Sequence, residues 1–193
     1  MAATASKMSP LGLQAADFQL PDVVSGQQIS LNTAVGTKGL LVIFLSRHCP
    51  YVQHVKGELA RIGRDYISKG IGMVAISAND ISKYPDDAPE KLKSMAQEEG
   101  FNFPVCYDES QKVAQKYEAT CTPDYFLYDQ NRQLVYRGQL DDSRPGNGKP
   151  VTGSNLRLAM DQLLAGEPVD QNQYPSLGCN IKWKAGNEPD YFS

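Results

Sequence analysis

Two unbroken apolar runs with a helical repeat between them set the frame of this chain. Leu40-Leu41-Val42-Ile43-Phe44-Leu45 and Ile71-Gly72-Met73-Val74-Ala75-Ile76 lack polar alternation, which predicts parallel strands covered on both faces. From Pro50 to about Ser68, the residues Val52, Val55, Leu59, Ile62, Tyr66 and Ile67 recur at helical spacing. Gly70 then marks the helix end, because glycine accepts the left-handed conformation that closes helices.

The rest of the chain alternates in the same manner. Residues 16–22 and 28–32 predict an N-terminal β-hairpin around Ser25-Gly26, and a polar loop over 79–89 leads into a helix from about Glu90 to Glu99. Phe103 to Tyr107 predicts a short strand, after which Ser110 caps a helix through Tyr117. Tyr125–Tyr128 and Leu134–Gln139 form a strand pair across the turn 129–132, and a loop of turn formers over 141–150 delivers a last helix, Ser154 to Leu164. An irregular tail with Cys179 and the only tryptophan, Trp183, follows Gly166. The expectation is one α/β domain over residues 1–193, with a flexible N-terminus at 1–14 and a C-terminal tail at 167–193.

Composition narrows the chemistry. A length of 193 residues with 41% hydrophobic content supports a full core. A net charge of −3 without blocks of like charge predicts neither a nucleic-acid nor a membrane partner. No apolar signal core occupies residues 1–10 and no apolar run approaches the ~18 residues of a membrane span, so a cytoplasmic protein is expected. Four widely spaced cysteines, Cys49, Cys106, Cys121 and Cys179, point to reduced thiols with reactive members, not a disulfide scaffold.

Cys49 carries the chemistry. It stands where the first strand breaks into a helix, with Pro50 in the first helical position that proline favours. A thiol there meets unpaired backbone N–H groups and the positive end of the helix dipole, which favour the reactive thiolate. His48 is a candidate for stabilising that thiolate or donating a proton to a leaving group. His54, five residues down the helix, is rotated away and reads as a solvated or core-edge side chain. Cys106 reads as core packing. Asp86-Asp87 and Asp141-Asp142 lack the alternating oxygen-ligand pattern of a calcium loop and read as solvated; Asp124 and Arg144 are weaker candidates for flanking a groove.

Val42-Ile43-Phe44-Leu45-Ser46-Arg47-His48-Cys49 resembles the thioredoxin strand with its first active-site cysteine, and Cys49-Pro50-Tyr51 resembles the glutaredoxin form of the motif. Cys121-Thr122-Pro123-Asp124 resembles the cis-proline segment that faces the thiol in that fold. With Asp17-Phe18-Gln19-Leu20-Pro21-Asp22, the segment Asp141 to Gly146 and Gly178-Cys179-Asn180-Ile181-Lys182-Trp183-Lys184, the pattern is similar to the peroxiredoxin-like branch of the thioredoxin superfamily, of AhpC/TSA type. The resemblance implies a thioredoxin-like fold, a central mixed β-sheet flanked by helices. It implies a cis Thr122-Pro123 bond and a substrate groove at Pro50, Tyr51, Thr122 and Pro123, where the Thr122 backbone pairs with an extended substrate segment. Two departures stand out. Val52 occupies the site of thioredoxin's second cysteine, and Val42 replaces the proline expected of a peroxidase, with Ser46 where its threonine would lie.

The expected activity is thiol-based oxidoreduction, either thiol-disulfide exchange or peroxide reduction with an antioxidant role. The Cys49 thiolate would be the nucleophile and a thiol donor of thioredoxin, glutaredoxin or glutathione type would supply electrons. Cys179, Cys121 or an external thiol would resolve the intermediate. No cofactor and no metal are called for, and a monomer or weak dimer is expected. The alternatives are a thioredoxin-fold copper chaperone using Cys49, Cys121, His48 and His54 as soft ligands, and a redox sensor without turnover.

Overall fold

A computed structural model describes residues 3–192. In chain order its elements are β1 (Thr4–Ala5), β2 (Gln19–Pro21), β3 (Gln28–Ser30), α1 (Leu31–Ala34), β4 (Gly39–Phe44), α2 (Pro50–Tyr66), β5 (Ile71–Ser77) and α3 (Pro89–Glu99). They continue with β6 (Val105–Tyr107), α4 (Lys112–Lys116), β7 (Cys121–Thr122), β8 (Asp124–Asp129), β9 (Leu134–Gly138), α5 (Ser154–Ala165) and β10 (Leu177–Asn180).

Five strands build the central sheet in the order β6-β5-β4-β8-β9. β4 runs parallel to β5, and β5 to β6, whereas β8 pairs antiparallel with β4 and with β9. The apolar run of β4 is fully buried because both faces of the sheet are covered. Leu41, Ile43 and Leu45 face one core with the apolar faces of α2, α3 and α5, including Leu59, Ile62, Leu92 and Leu156. Leu40, Val42 and Phe44 face a second, with Phe18, Leu20, Tyr117, Phe126 and Trp183. This alternation follows from the two-residue period of a strand. α2 passes into a single 3-10 turn and stops at Gly70, whose φ of 99° only glycine adopts without strain.

The main strands and the longer helices lie where the hydrophobic pattern puts them. The hairpin's second strand stops at Ser30, which caps α1, so Leu31 and Asn32 are helical and not extended. Three further expectations need correction. The tail at 167–193 is not irregular throughout, because Leu177–Asn180 forms β10 between β1 and β7. The arm at 1–14 is tied down from Thr4 onward, by β1 pairing with β10 and by a bridge from Gln14 to Gln133; Met1 and Ala2 lie outside the described residues. Finally, the cap position of α4 is Gln111, at φ 63°, instead of Ser110, because the buried Asp108 carboxylate already takes the N–H of Ala114.

Candidate active site

Cys49 sits at the junction of β4 and α2, in extended conformation at the N-cap, with Pro50 opening the helix. That much is written in the local sequence. The side chain, however, makes no capping hydrogen bond to the helix start. Its sulfur lies 3.0 Å from the carbonyl oxygen of Thr122 and 2.9 Å from Sγ of Cys179. Cys49 is wholly buried and Cys179 is 4% exposed, so neither thiol is open to the substrate groove that the family resemblance implies. Burial, then the neighbouring Cys49, pushes the Cys179 thiol up to about 12. Cys179 therefore holds its proton at neutral pH and is a poor first nucleophile.

The cover over Cys49 is β10 itself. Thr122-Pro123 is cis, and the strand just before it, β7, pairs antiparallel with β10: Thr122 faces Cys179 and Cys121 faces Asn180. Ile181 N–H extends the ladder to the Thr120 carbonyl. On the other edge β10 pairs with β1, placing Thr4 opposite Gly178. Ser176 locks the entry to the strand, donating from its hydroxyl to the Pro123 carbonyl at 2.7 Å and exchanging bonds with Ser6. The backbones are so close that a Cβ on Gly178 would stand 2.0 Å from the Thr122 oxygen. The edge expected to receive a substrate segment is thus already filled by the chain's own strand, and that strand delivers Cys179 to Cys49.

His48 points elsewhere. Its Nδ1 lies 2.5 Å from Oδ2 of Asp87, and since an ionised carboxylate only accepts, Nδ1 carries the proton. Its ring stacks on Tyr84, and its Nε2 is buried with no partner among the described residues. Asp87 also accepts from the Ser46 hydroxyl, from the N–H groups of Arg47 and His48, and from Asn79 Nδ2. Burial alone would raise its pKa, but the bonds from His48, Asn79 and Ser46 outweigh it and hold the carboxyl below the usual range. Asp87 is fully buried, so the solvated-loop assignment fails. It anchors the three residues that lead into Cys49. Nothing in the sequence separates it from its outward neighbour Asp86, which approaches Arg47 at 3.7 Å.

The remaining candidates separate. Cys121 turns its sulfur toward the Pro123 carbonyl at 3.6 Å, and burial raises its pKa far above the ordinary thiol value; Cys49 meets Cys179 instead. Cys106 is buried in the second core, its thiol pushed up to about 12 by desolvation. Asp124 does not flank a groove, being wholly buried against Arg137 at 3.3 Å. Asp141 is buried as well, accepting from the N–H groups of Ser143, Thr152 and Gly153, while Asp142 stays exposed beside Lys149. Tyr51, Pro123, His54 and Arg144 all line one small cleft of about 20 Å³, which puts His54, 3.2 Å from the Ser143 hydroxyl, at a core edge. Among the described residues no three His, Cys, Asp or Glu side chains cluster as a metal site would require.

Comparison with known proteins agrees with this architecture. Residues 11–137 match the AhpC/TSA family. An uncharacterized conserved protein from Geobacillus kaustophilus is 49% identical, with a TM-score of 0.93 over 95% of this chain and 97% of its own. The thioredoxin domain of a thiol-disulfide oxidoreductase from Bacteroides vulgatus shares the fold at 20% identity, with a TM-score of 0.57 over 67% of this chain and 89% of its own. The thiol-disulfide oxidoreductase ResA of Bacillus anthracis is 26% identical over 125 residues, 65% of this chain and 67% of that protein. The chain belongs to the AhpC/TSA family, as a peroxiredoxin-like domain of the thioredoxin superfamily.

Proposed function

We propose that this member of a thiol-redox family is an oxidoreductase that cycles between a Cys49/Cys179 dithiol and their disulfide. The observation that carries the reading is the 2.9 Å separation of the two sulfurs. A disulfide needs about 2.05 Å, so bond formation asks for a movement of under about 1 Å. The Cys49 thiolate attacks a disulfide sulfur, expelling a thiolate, or a peroxide oxygen, expelling an alcohol or water and leaving a sulfenic acid. Cys179 then gives up its proton and attacks the Cys49 sulfur, which closes the internal disulfide and releases the second thiol or water. Two equivalents of a thiol donor restore the dithiol. A reducing, cytoplasmic setting suits this resting state.

Both sulfurs are covered, so each cycle begins with a local opening of β10, a two-sided but short strand. Stoichiometric peroxide followed by peptide mass mapping tests the reading. A Cys49–Cys179 link is the expected product. A different linkage, or a Cys49→Ser chain with full turnover, refutes it.

A further inference from the structure

The cleft beside Pro123 has a donor set that nothing in the sulfur chemistry uses. Arg144 places Nη1 on the carbonyls of Asp141 and Ser143 and Nη2 on Oε1 of Gln139. All three acceptors are neutral, and no carboxylate pairs with Arg144 among the described residues. A guanidinium has five N–H groups, so two remain free on a side chain already fixed in orientation. Tyr125 also lines the cleft. It is wholly buried, yet its hydroxyl has no hydrogen-bond partner among the described residues, an arrangement that costs free energy until an acceptor arrives.

Ser143, Asp141 and Ser176 on the lining are occupied. Ser143 donates its one hydroxyl proton to Asp141 at 2.6 Å, so it accepts from His54 Nε2 at 3.2 Å. Asp141, the one carboxylate on the lining, is taken up by four donors from Ser143, Thr152 and Gly153. Beside His54 Nδ1, an acceptor once Nε2 carries the proton, two unpaired donors remain: a guanidinium with two of its five N–H groups and a phenol. A carboxylate satisfies both. The cleft encloses about 20 Å³, enough for a water molecule or one carboxylate head group but not for a whole drug-sized ligand. It abuts the cover of the sulfur pair, since Tyr51 follows Pro50, Pro123 follows Thr122, and Leu177 lies two residues before Cys179.

We infer that this cleft seats the carboxylate of a small thiol or disulfide, between Arg144 and Tyr125, and that such a molecule is the exchange partner of Cys49. The inference rests on the proposed dithiol cycle and adds its substrate class. A protein segment would need the edge of β7, which requires all of β10 to leave both its neighbours; a small molecule with one carboxylate in the cleft needs only the wall between cleft and sulfur to part. In the exchange, Cys49 attacks one sulfur of the small disulfide and one small thiolate leaves. Cys179 attacks the mixed disulfide and the second leaves. One small disulfide becomes two thiols as the protein dithiol becomes a disulfide.

The test separates binding from redox. Octanedioate, which has the length of 3,3′-dithiodipropionate but no sulfur, is titrated by NMR into the reduced full chain beside its neutral diamide. Dithiodipropionate and its diamide are then compared as oxidants by the rate of Cys49–Cys179 closure. The expected result is roughly tenfold or greater preference for the acid in both assays, lost in Arg144→Gln and reduced several-fold in Tyr125→Phe. Tyr125→Phe removes an unpaired buried hydroxyl and keeps the ring, so it is expected to fold with undiminished thermal stability while losing affinity. Equal behaviour of acid and amide, or a preference that survives both substitutions, overturns the inference. Carboxylate binding with no disulfide closure by either oxidant would instead strike the dithiol cycle and leave the binding site standing.

Discussion

Gly178→Ala is the sharpest probe of how this site is assembled. A Cβ at that position would stand 2.0 Å from the Thr122 oxygen, 2.6 Å from its carbon and 3.1 Å from Pro123 N. All three are backbone atoms, so no side chain can rotate away. Ordinary contact begins near 3.4 Å, which obliges β10 to retreat from β7 by about 1.4 Å, more than the whole movement that disulfide closure requires. The retreat breaks the ladder at Cys179 and Thr122. Losing two backbone hydrogen bonds at about 1 kcal/mol each lowers stability by about 2 kcal/mol, enough to see in urea denaturation without unfolding the chain. The chemical consequence is larger than the thermodynamic one, because the sulfurs separate while Cys49 is uncovered. Stopped-flow alkylation should find Cys49 reacting faster with iodoacetamide, by tenfold or more, while peroxide-driven closure to Cys179 slows. A Gly178→Ala chain whose Cys49 stays protected and whose disulfide closes at the unaltered rate would refute the claim that β10 both seals and resolves Cys49.

Other substitutions isolate the neighbouring parts. Cys179→Ser should leave Cys49 able to react once but unable to close the cycle, so that sulfenic acid, detected by dimedone labelling, accumulates after peroxide. Cys121→Ala should leave closure intact in mass mapping, because Cys49 is paired elsewhere. Asp87→Ala strands several buried donors and the His48 ring, and is expected to cost about 3–5 kcal/mol in chemical denaturation. Since Asp87 titrates lower folded than unfolded, its contribution is present above the ordinary carboxylate value of 3.8 and is lost as pH falls through the folded value. The stability gap between the parent chain and Asp87→Asn should accordingly shrink in acid, and a gap that widens would contradict the assignment.

Local sequence determined a good deal. The apolar runs of β4 and β5, the periodic face of α2, Pro50 at its start and Gly70 at its end are short-range features, governed by φ preference, propensity and the periods of strand and helix. They fix the strand-helix joint and hence the place of Cys49, and the same local motifs made the fold family and the cis proline segment legible. Three decisions belonged to long-range packing. A four-residue strand in a Gly-rich tail has no periodicity to declare itself; β10 exists because β1 and β7 offer unpaired edges on both sides. Which cysteine meets Cys49 depends on the register of that pairing, which sets Cys179 opposite Thr122 and turns Cys121 away. The two adjacent aspartates look alike in sequence, and only the approach of the Ser46–His48 loop buries Asp87 and leaves Asp86 outside. Sequence alone therefore placed the nucleophile, while tertiary structure chose its partner, its cover and its anchor, because those depend on which segments meet in space.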